Sequence, residues 1–359
     1  MKIIQLMPEL DLAGAEIMVE NLTYFLTQAG HDVIVVSMYT KNSPITRRLE
    51  AKGVRVVFLD KRNGLDLSMI FKMRDLFKSE RPDIIHTHRY LACYAIPAAI
   101  LAGAKGRVHT VHNIASRELG LLYRWMYSFF YKYCMLHPVG ISPSIKTTII
   151  NEYGLDSDAV DMVYNGIDLS KCVVKSDRNS DDVIKLLHVG RFNYQKNHEG
   201  IIRAFSIVCD KFPHTQLELW GAGELKEDCI RLVDELSLAG KVKFCGLTDD
   251  IYTVMSNADI FVLCSHYEGM PITLIEAMAT GLPILSTAVG GVVDMIEDGV
   301  DGILCEDSVS DIADKMMKMI SDSYLRNNCS TNAKLKSKSY SVQNMGDEYL
   351  NIYNRIVTE

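Results

Sequence analysis

Ile260-Phe-Val-Leu-Cys-Ser-His-Tyr-Glu-Gly-Met-Pro-Ile-Thr-Leu-Ile-Glu-Ala-Met-Ala-Thr-Gly-Leu-Pro283 is the stretch that decides the fold. Its first residues, Ile260–Leu263, form an apolar run of strand length, rich in β-formers. Gly269 and Pro271 then break the chain, and a segment of helical spacing comes next. Proline suits a helix start because it lacks only an N–H that would be unpaired there anyway. Gly281 ends the helix and Pro283 opens the next strand. Strand, loop, helix and strand in that order build a parallel sheet.

The same alternation extends both ways. Towards the N-terminus, Ile3–Met7, Asp32–Met38, Val54–Leu59, Asp83–Thr87 and Arg107–Val111 read as buried strands. Ala15–Ala29 and Leu67–Ser79 carry helical periodicity between them, and Gly30 and Gly53 fall where helices stop. A second series comprises Val183–Val189, Gln216–Trp220, Val242–Cys245, Ile260–Leu263, Pro283–Ser286 and Gly302–Leu304. The polar run at 176–182, Ser-Asp-Arg-Asn-Ser-Asp-Asp, separates the two series and is the expected linker. Met345, Tyr349, Ile352, Tyr353 and Ile356 give Val342–Ile356 one apolar helical face. The expected architecture is α/β, with two doubly wound, Rossmann-like domains over 1–168 and 169–340 and a terminal helix over 341–359. Such domains carry ligands at the carboxyl ends of their strands, here in a shared cleft.

Bulk properties exclude several classes. A length of 359 residues exceeds one ordinary core. The net charge of −7 argues against general nucleic-acid binding, which needs clustered Lys and Arg. Nine cysteines without a Cys-x-x-Cys pair read as reduced thiols in a cytoplasmic protein, not a disulfide frame or zinc site. The N-terminus turns polar too soon for a secretory signal, and no apolar run reaches the ~20 residues a bilayer requires.

The chemistry concentrates around Glu268 and Glu276, one in the loop and one inside the helix it opens. Free N–H groups at Ile272 and Thr273, with the helix dipole, favour an anion. Gly269 lets a ligand approach the backbone. Two carboxylates bracketing such a helix tip suit a ligand with an anionic middle and hydroxyls at both ends, as in a nucleotide-diphosphate sugar. Arg191 and Lys196, after the first strand of the second series, supply a fork and a point charge for the phosphates. Gly14, between the first strand and first helix, lets a phosphate or sugar reach that helix start. No Gly-x-Gly-x-x-Gly is present there, so the dinucleotide fingerprint is absent. Gly221-Ala-Gly223 reads as a strand-end turn, and Gly290-Gly291 as a crevice loop. His86 and His88 share one strand face and have a metal's spacing, but no carboxylate nearby completes a ligand set. His112, where a strand ends, is the preferred functional histidine. Residues 121–136 are unusually aromatic, which suits a buried helix, one resting on a bilayer surface or one lining a hydrophobic acceptor site.

These motifs resemble the retaining glycosyltransferases of family 4, which have the GT-B fold. The resemblance is most specific in Gly-Arg-Phe-x3-Lys-Asn from Gly190, in Glu-Gly-Met-Pro-x4-Glu from Glu268, and in Gly-Gly-x2-Asp-x2-Glu-Asp-Gly from Gly290. Asn165-Gly-Ile-Asp168 matches the family's interdomain link. The family often has Gly-Gly before its first helix, whereas Ala13-Gly14 stands here. The resemblance implies that Glu276 binds ribose hydroxyls, Arg191 and Lys196 neutralise the diphosphate, and Glu268 contacts the donor sugar. It implies amide contacts from Met270, Ile272 and Thr273 beside Gly269 and Pro271. Gly246 and Leu247 would border the base, with Gly14 and His112 on the first domain. The implied activity is transfer of a hexose or N-acetylhexosamine from a nucleotide sugar, UDP by family frequency, to a glycan or lipid-linked acceptor. No metal or other cofactor is expected. The implied place is the cytoplasm, with peripheral contact at the inner membrane face through 121–136. A UDP-sugar epimerase of the same shape, or a non-catalytic nucleotide-sugar-binding partner, is the alternative. Front-face transfer and double displacement through Glu268 both remain open at this point.

Overall fold

A computed structural model describes residues 1–40, 43–118, 120–173 and 183–358. The expected linker at 176–182 lies outside the described residues. The chain forms two compact units, Met1–Ile167 with Ser341–Glu359, and Asp168–Tyr340.

The first unit is built on seven parallel strands: β1 (Lys2–Met7), β2 (Asp32–Ser37), β3 (Arg55–Phe58), β4 (Ile84–His88), β5 (Gly106–Val111), β6 (His137–Gly140) and β7 (Asp161–Met162). Their order is β3-β2-β1-β4-β5-β6-β7. The order reverses direction between β1 and β4, which pair with Ile3 opposite Ile84 and Leu6 opposite Thr87. β4 and β5 are buried along their whole length although they carry His86, Thr87, His88, His109 and Thr110, so these polar side chains must find hydrogen-bond partners inside the fold. β6 and β7 were not anticipated. β6 has only four residues, Pro138 removes a ladder donor and Gly140 closes it, so no periodicity can show. The aromatic segment is helical over Leu121–Tyr133 and stops there, with Met135 in the left-handed region at φ 51°. The helix Val342–Thr358 belongs to this first unit and buries Met345, Tyr349, Ile352 and Tyr353.

The second unit repeats the scheme with β8 (Ile184–Val189), β9 (Thr215–Trp220), β10 (Val242–Gly246), β11 (Ile260–Leu263), β12 (Ile284–Thr287) and β13 (Ile303–Cys305). The order is β10-β9-β8-β11-β12-β13, and the reversal lies between β8 and β11, with Ile260 opposite Leu186. Leu186, Leu217, Leu219, Ile260 and Val262 pack with Phe205 and Met316 in its core. The helix after β11 runs Ile272–Thr280 and ends at Gly281, φ 74°, a left-handed cap that favours glycine. In an open α/β sheet, ligands sit beyond the carboxyl ends of the strands where the order reverses. In the second unit the loops leaving β8 and β11 border that position, and in the first unit those leaving β1, β4 and β5 do.

Candidate functional site

In the second unit, β8 delivers Gly190 and Arg191, and a tight turn over Tyr194–Lys196 comes next. The Asn193 side chain accepts the Lys196 amide at 3.3 Å, fixing that turn. β11 delivers the loop that holds Glu268. The two segments meet: Lys196 Nζ donates to Glu268 Oε1 at 2.6 Å, across the β8/β11 reversal. Both partners are largely buried, with 16% and 5% of their side chains exposed. Gln195 Nε2 donates to Glu268 Oε2 at 3.3 Å and to the Tyr267 carbonyl at 3.0 Å. The His266 amide donates to the Gln195 carbonyl at 2.9 Å, stitching turn to loop. Arg191 stands exposed beside this pair in sequence.

Close backbone packing explains the glycines. A Cβ on Gly290 would lie 1.8 Å from the Glu268 carbonyl oxygen, and its φ is 50°. The loop after β12 can therefore back the Glu268 segment only with glycine there. Gly221 and Gly223, read from sequence as a plain turn, press on the backbone of Gly190 and Phe192; added Cβ atoms would come within 2.0 and 2.3 Å of those carbonyl oxygens. Gly246 joins the same stack, its carbonyl accepting the Gly221 amide at 2.7 Å, and Leu247 beside it is exposed to solvent.

Pro271 precedes the Ile272–Thr280 helix as its cap residue rather than occupying its first turn, and no side chain caps the helix. The amides of Ile272 and Thr273 have no hydrogen-bond partner among the described residues. Thr273 Oγ1 and, just after β11, Ser265 Oγ are buried without partners among the described residues. Gly269, Met270 and Pro271 are buried beside them. One turn along, the Glu276 carboxyl is buried with no hydrogen bond to its oxygens among the described residues, and burial alone pushes its pKa up to about 8. Cys172, which the sequence did not single out, has its thiol pushed up to about 12 by burial and then by Glu276.

In the first unit Gly14 is the exposed first residue of the Gly14–Gln28 helix, which also lacks a side-chain cap. His112 comes directly after β5, half-buried, and its Nε2 lies 2.9 Å from His88 Nδ1. His86 and His88 spend their ring nitrogens on Tyr353, Thr110, Gln5 and His112, so the metal spacing read from sequence is used for protein hydrogen bonds. Among the described residues no group of His, Cys, Asp and Glu is arranged to hold a metal ion. Glu118, also unforeseen, accepts the amides of His112 and Asn113 through Oε2 at 3.0 and 3.2 Å. Its Oε1 is buried and unpartnered among the described residues, and burial raises its pKa to about 7. The aromatic helix splits its residues: Tyr127, Phe130 and Tyr131 are buried, while Leu121, Leu122, Trp125, Phe129 and Tyr133 stand exposed. No helix among the described residues is long and apolar enough to cross a membrane.

The second-unit residues expected from sequence thus gather at one sheet edge: Arg191, Lys196, Gly246, Glu268, the 269–273 loop and Glu276. Gly14 and His112 belong to the first unit's corresponding edge. Residues 12–171 match the family Glycosyltransferase Family 4, and residues 174–336 match Glycosyl transferases group 1. The chain is similar to the UDP-Gal:alpha-D-GlcNAc-diphosphoundecaprenol alpha-1,3-galactosyltransferase of Escherichia coli, at 28% identity over 292 residues, 76% of this chain and 74% of that one. It is also similar to the N-acetyl-alpha-D-glucosaminyl L-malate synthase of Bacillus anthracis, at 27% identity over 75% of this chain and 73% of that one. In fold it matches Anabaena HepE, solved with UDP and glucose, at a TM-score of 0.87 and 19% identity, covering 99% of this chain and 100% of that one.

Proposed function

We propose that this chain, which belongs to the family 4 glycosyltransferases of the GT-B fold, moves a hexose or N-acetylhexosamine from UDP to an acceptor hydroxyl with retention at the anomeric carbon. It is a nucleotide-sugar-dependent glycosyltransferase of glycan biosynthesis. The choice of UDP is supported by the E. coli galactosyltransferase, which by name uses UDP-galactose, and by the Anabaena protein solved with UDP. One observation carries the site assignment: the Lys196–Glu268 pair beside a helix start whose amides lack partners among the described residues.

The chemistry needs stabilisation of a leaving diphosphate as its charge grows. An ammonium has three N–H groups, and Lys196 spends one on Glu268, leaving two for phosphate oxygens. The Ile272 and Thr273 amides add fixed donors, which is preorganised electrostatic stabilisation, and Arg191 adds a second cation. We assign neutralisation to these groups rather than to a metal. Glu276, protonated at neutral pH in the free protein, can give up that proton when a ribose diol binds and then accept from both of its hydroxyls. Both Glu268 oxygens are engaged, one in an ion pair, which supports a role in holding the donor sugar over one as a covalent nucleophile. The leaving phosphate oxygen then takes the acceptor's proton on the same face. The exposed apolar stripe at 121–133 supports a lipid-linked glycan acceptor met at a membrane surface.

The test is thermal shift against UDP, GDP and ADP sugars, then transfer assays with and without chelator and NMR of the product's anomeric configuration. UDP sugars are expected to stabilise the chain by binding the folded state. Absence of stabilisation by any nucleotide sugar, an inverted product, or activity abolished by chelator would each remove the corresponding part.

A further inference from the structure

The first unit contains a directed chain of hydrogen bonds that ends at His112. It starts on the terminal helix, where the Tyr353 hydroxyl accepts from Gln5 Nε2 at 3.3 Å and lies 2.6 Å from His86 Nδ1. The phenol has one proton, and with Gln5 donating towards it that proton goes to His86 Nδ1. His86 therefore carries its own proton on Nε2, which reaches Thr110 Oγ1 at 2.7 Å. The other end of Gln5, Oε1, can only accept, and it lies 3.0 Å from His88 Nε2. His88 is thus protonated at Nε2. Its bare Nδ1 must accept from His112 Nε2 at 2.9 Å. Burial holds all three imidazoles well below their ordinary pKa, so each is neutral with a single ring proton. His112 is left with Nε2–H and an unprotonated Nδ1. Among the described residues Nδ1 has no partner, and it is not one of the buried unpaired atoms, so its lone pair is open to a ligand.

We propose that Gln5, His88 and Tyr353 are positioning residues that hold His112 in its Nε2–H tautomer, so that Nδ1 accepts a hydrogen bond from a hydroxyl of a sugar bound at the carboxyl ends of the first unit's strands. The identity of that hydroxyl rests on the glycosyl-transfer reading; the tautomer does not. Turning the Gln5 amide over would reverse every link and present an N–H at Nδ1 instead. The orientation of one buried amide, fixed by the terminal helix, therefore decides whether His112 offers an acceptor or a donor.

Ring-15N labelling of histidine with long-range proton–nitrogen correlation reads the protonated nitrogen of each imidazole in the intact protein. The expected result for His112 is a protonated Nε2 and a bare Nδ1. Tyr353→Phe and Gln5→Met each break the chain and should give a mixture of His112 tautomers. They should also lower turnover about three- to tenfold, the range of one hydrogen bond, with affinity for free UDP unchanged. A proton on Nδ1 in the wild type overturns the proposal even if both variants fail to fold. An unchanged tautomer in both folded variants, or equal loss of turnover and UDP affinity, overturns it as well. A fixed Nε2–H tautomer without transfer from any donor counts against the glycosyl-transfer reading alone.

Discussion

Replacing Glu276 with glutamine should favour the variant over the wild type increasingly as the pH rises, because the native carboxyl is buried with no hydrogen-bond partner among the described residues. Its pKa is pushed from 4.5 to about 8 by burial. Below pH 4.5 the group is protonated in both folded and unfolded chains and contributes no pH-dependent term. Between there and pH 8 the unfolded chain ionises while the folded one keeps its proton, so stability falls with rising pH. Above pH 8 both are ionised and the loss is complete, at about 5 kcal/mol from that pKa difference. By pH 7 about 3 kcal/mol has gone. Glutamine does not titrate. Whatever constant amount Glu276→Gln costs through its amide, the gap between variant and wild type should move in the variant's favour by about 3 kcal/mol from pH 4.5 to pH 7. For a unit of this size that is roughly 6–12 °C in melting temperature. Calorimetric scans across this range measure it, and parallel pH profiles for the two proteins would refute the buried, proton-holding carboxyl. Binding of UDP, whose ribose hydroxyls can donate to the carboxylate, should lower its pKa and release a proton. The binding enthalpy near pH 7 should therefore depend on the buffer's ionisation heat in the wild type and not in the variant.

Lys196→Ala should cut kcat about 10²–10³-fold by removing charge aimed at the leaving group, and destabilise the fold by about 3–5 kcal/mol by leaving Glu268 buried and unpaired. The double change Lys196→Met with Glu268→Gln should recover stability in denaturant titrations without recovering turnover. Gly290→Ala meets both a positive φ and the Glu268 carbonyl; it should cost at least about 2 kcal/mol in melts and reduce donor affinity by displacing the Glu268 loop. Trp125→Ser with Phe129→Ser should abolish co-sedimentation with anionic phospholipid vesicles while preserving the melting temperature, since both side chains are exposed. Unchanged vesicle binding would remove the membrane role of the stripe.

Much of this was legible because parallel, buried strands advertise themselves. Ile260–Leu263 matches to the residue, and Gly281 ends its helix as its position foretold. Motifs contiguous in sequence, from Glu268 to Glu276, transferred almost unaltered into geometry. What stayed hidden depends on contacts between distant segments. The Lys196–Glu268 pair joins residues 72 positions apart and exists only because β8 and β11 are neighbours. Gly221 and Gly223 look like a turn until the backbone of Gly190 and Phe192 is laid against them. His86-Thr-His88 has a metal's spacing, set aside for want of a carboxylate, but spacing alone cannot reveal that Gln5, Thr110 and Tyr353 occupy the ring nitrogens. Gln195 carried one available signal, its place beside Lys196, and that was too little to mark it.

The ion pair at the reversal of the second sheet also bears on how the proposed transfer gains its rate. A buried carboxylate with no counter-charge is costly, and a long lysine side chain free in solvent carries about 2 kcal/mol of rotamer entropy that ordering would remove. Pairing Lys196 with Glu268 meets both demands before any donor arrives. The ammonium is fixed by one N–H to Glu268 and steadied through Gln195 and the Asn193 turn, with two N–H groups still to give. On the proposed reading, as the bond between sugar and diphosphate lengthens, charge would grow on oxygens facing an ordered cation and uncapped amides, so little reorganisation would fall on the transition state. Gly290 and Gly221 hold the two loops at distances no other residue type permits. The glycines and the ion pair are therefore parts of one device, in which backbone contact sets where the charges stand and the charges set what the helix tip can stabilise.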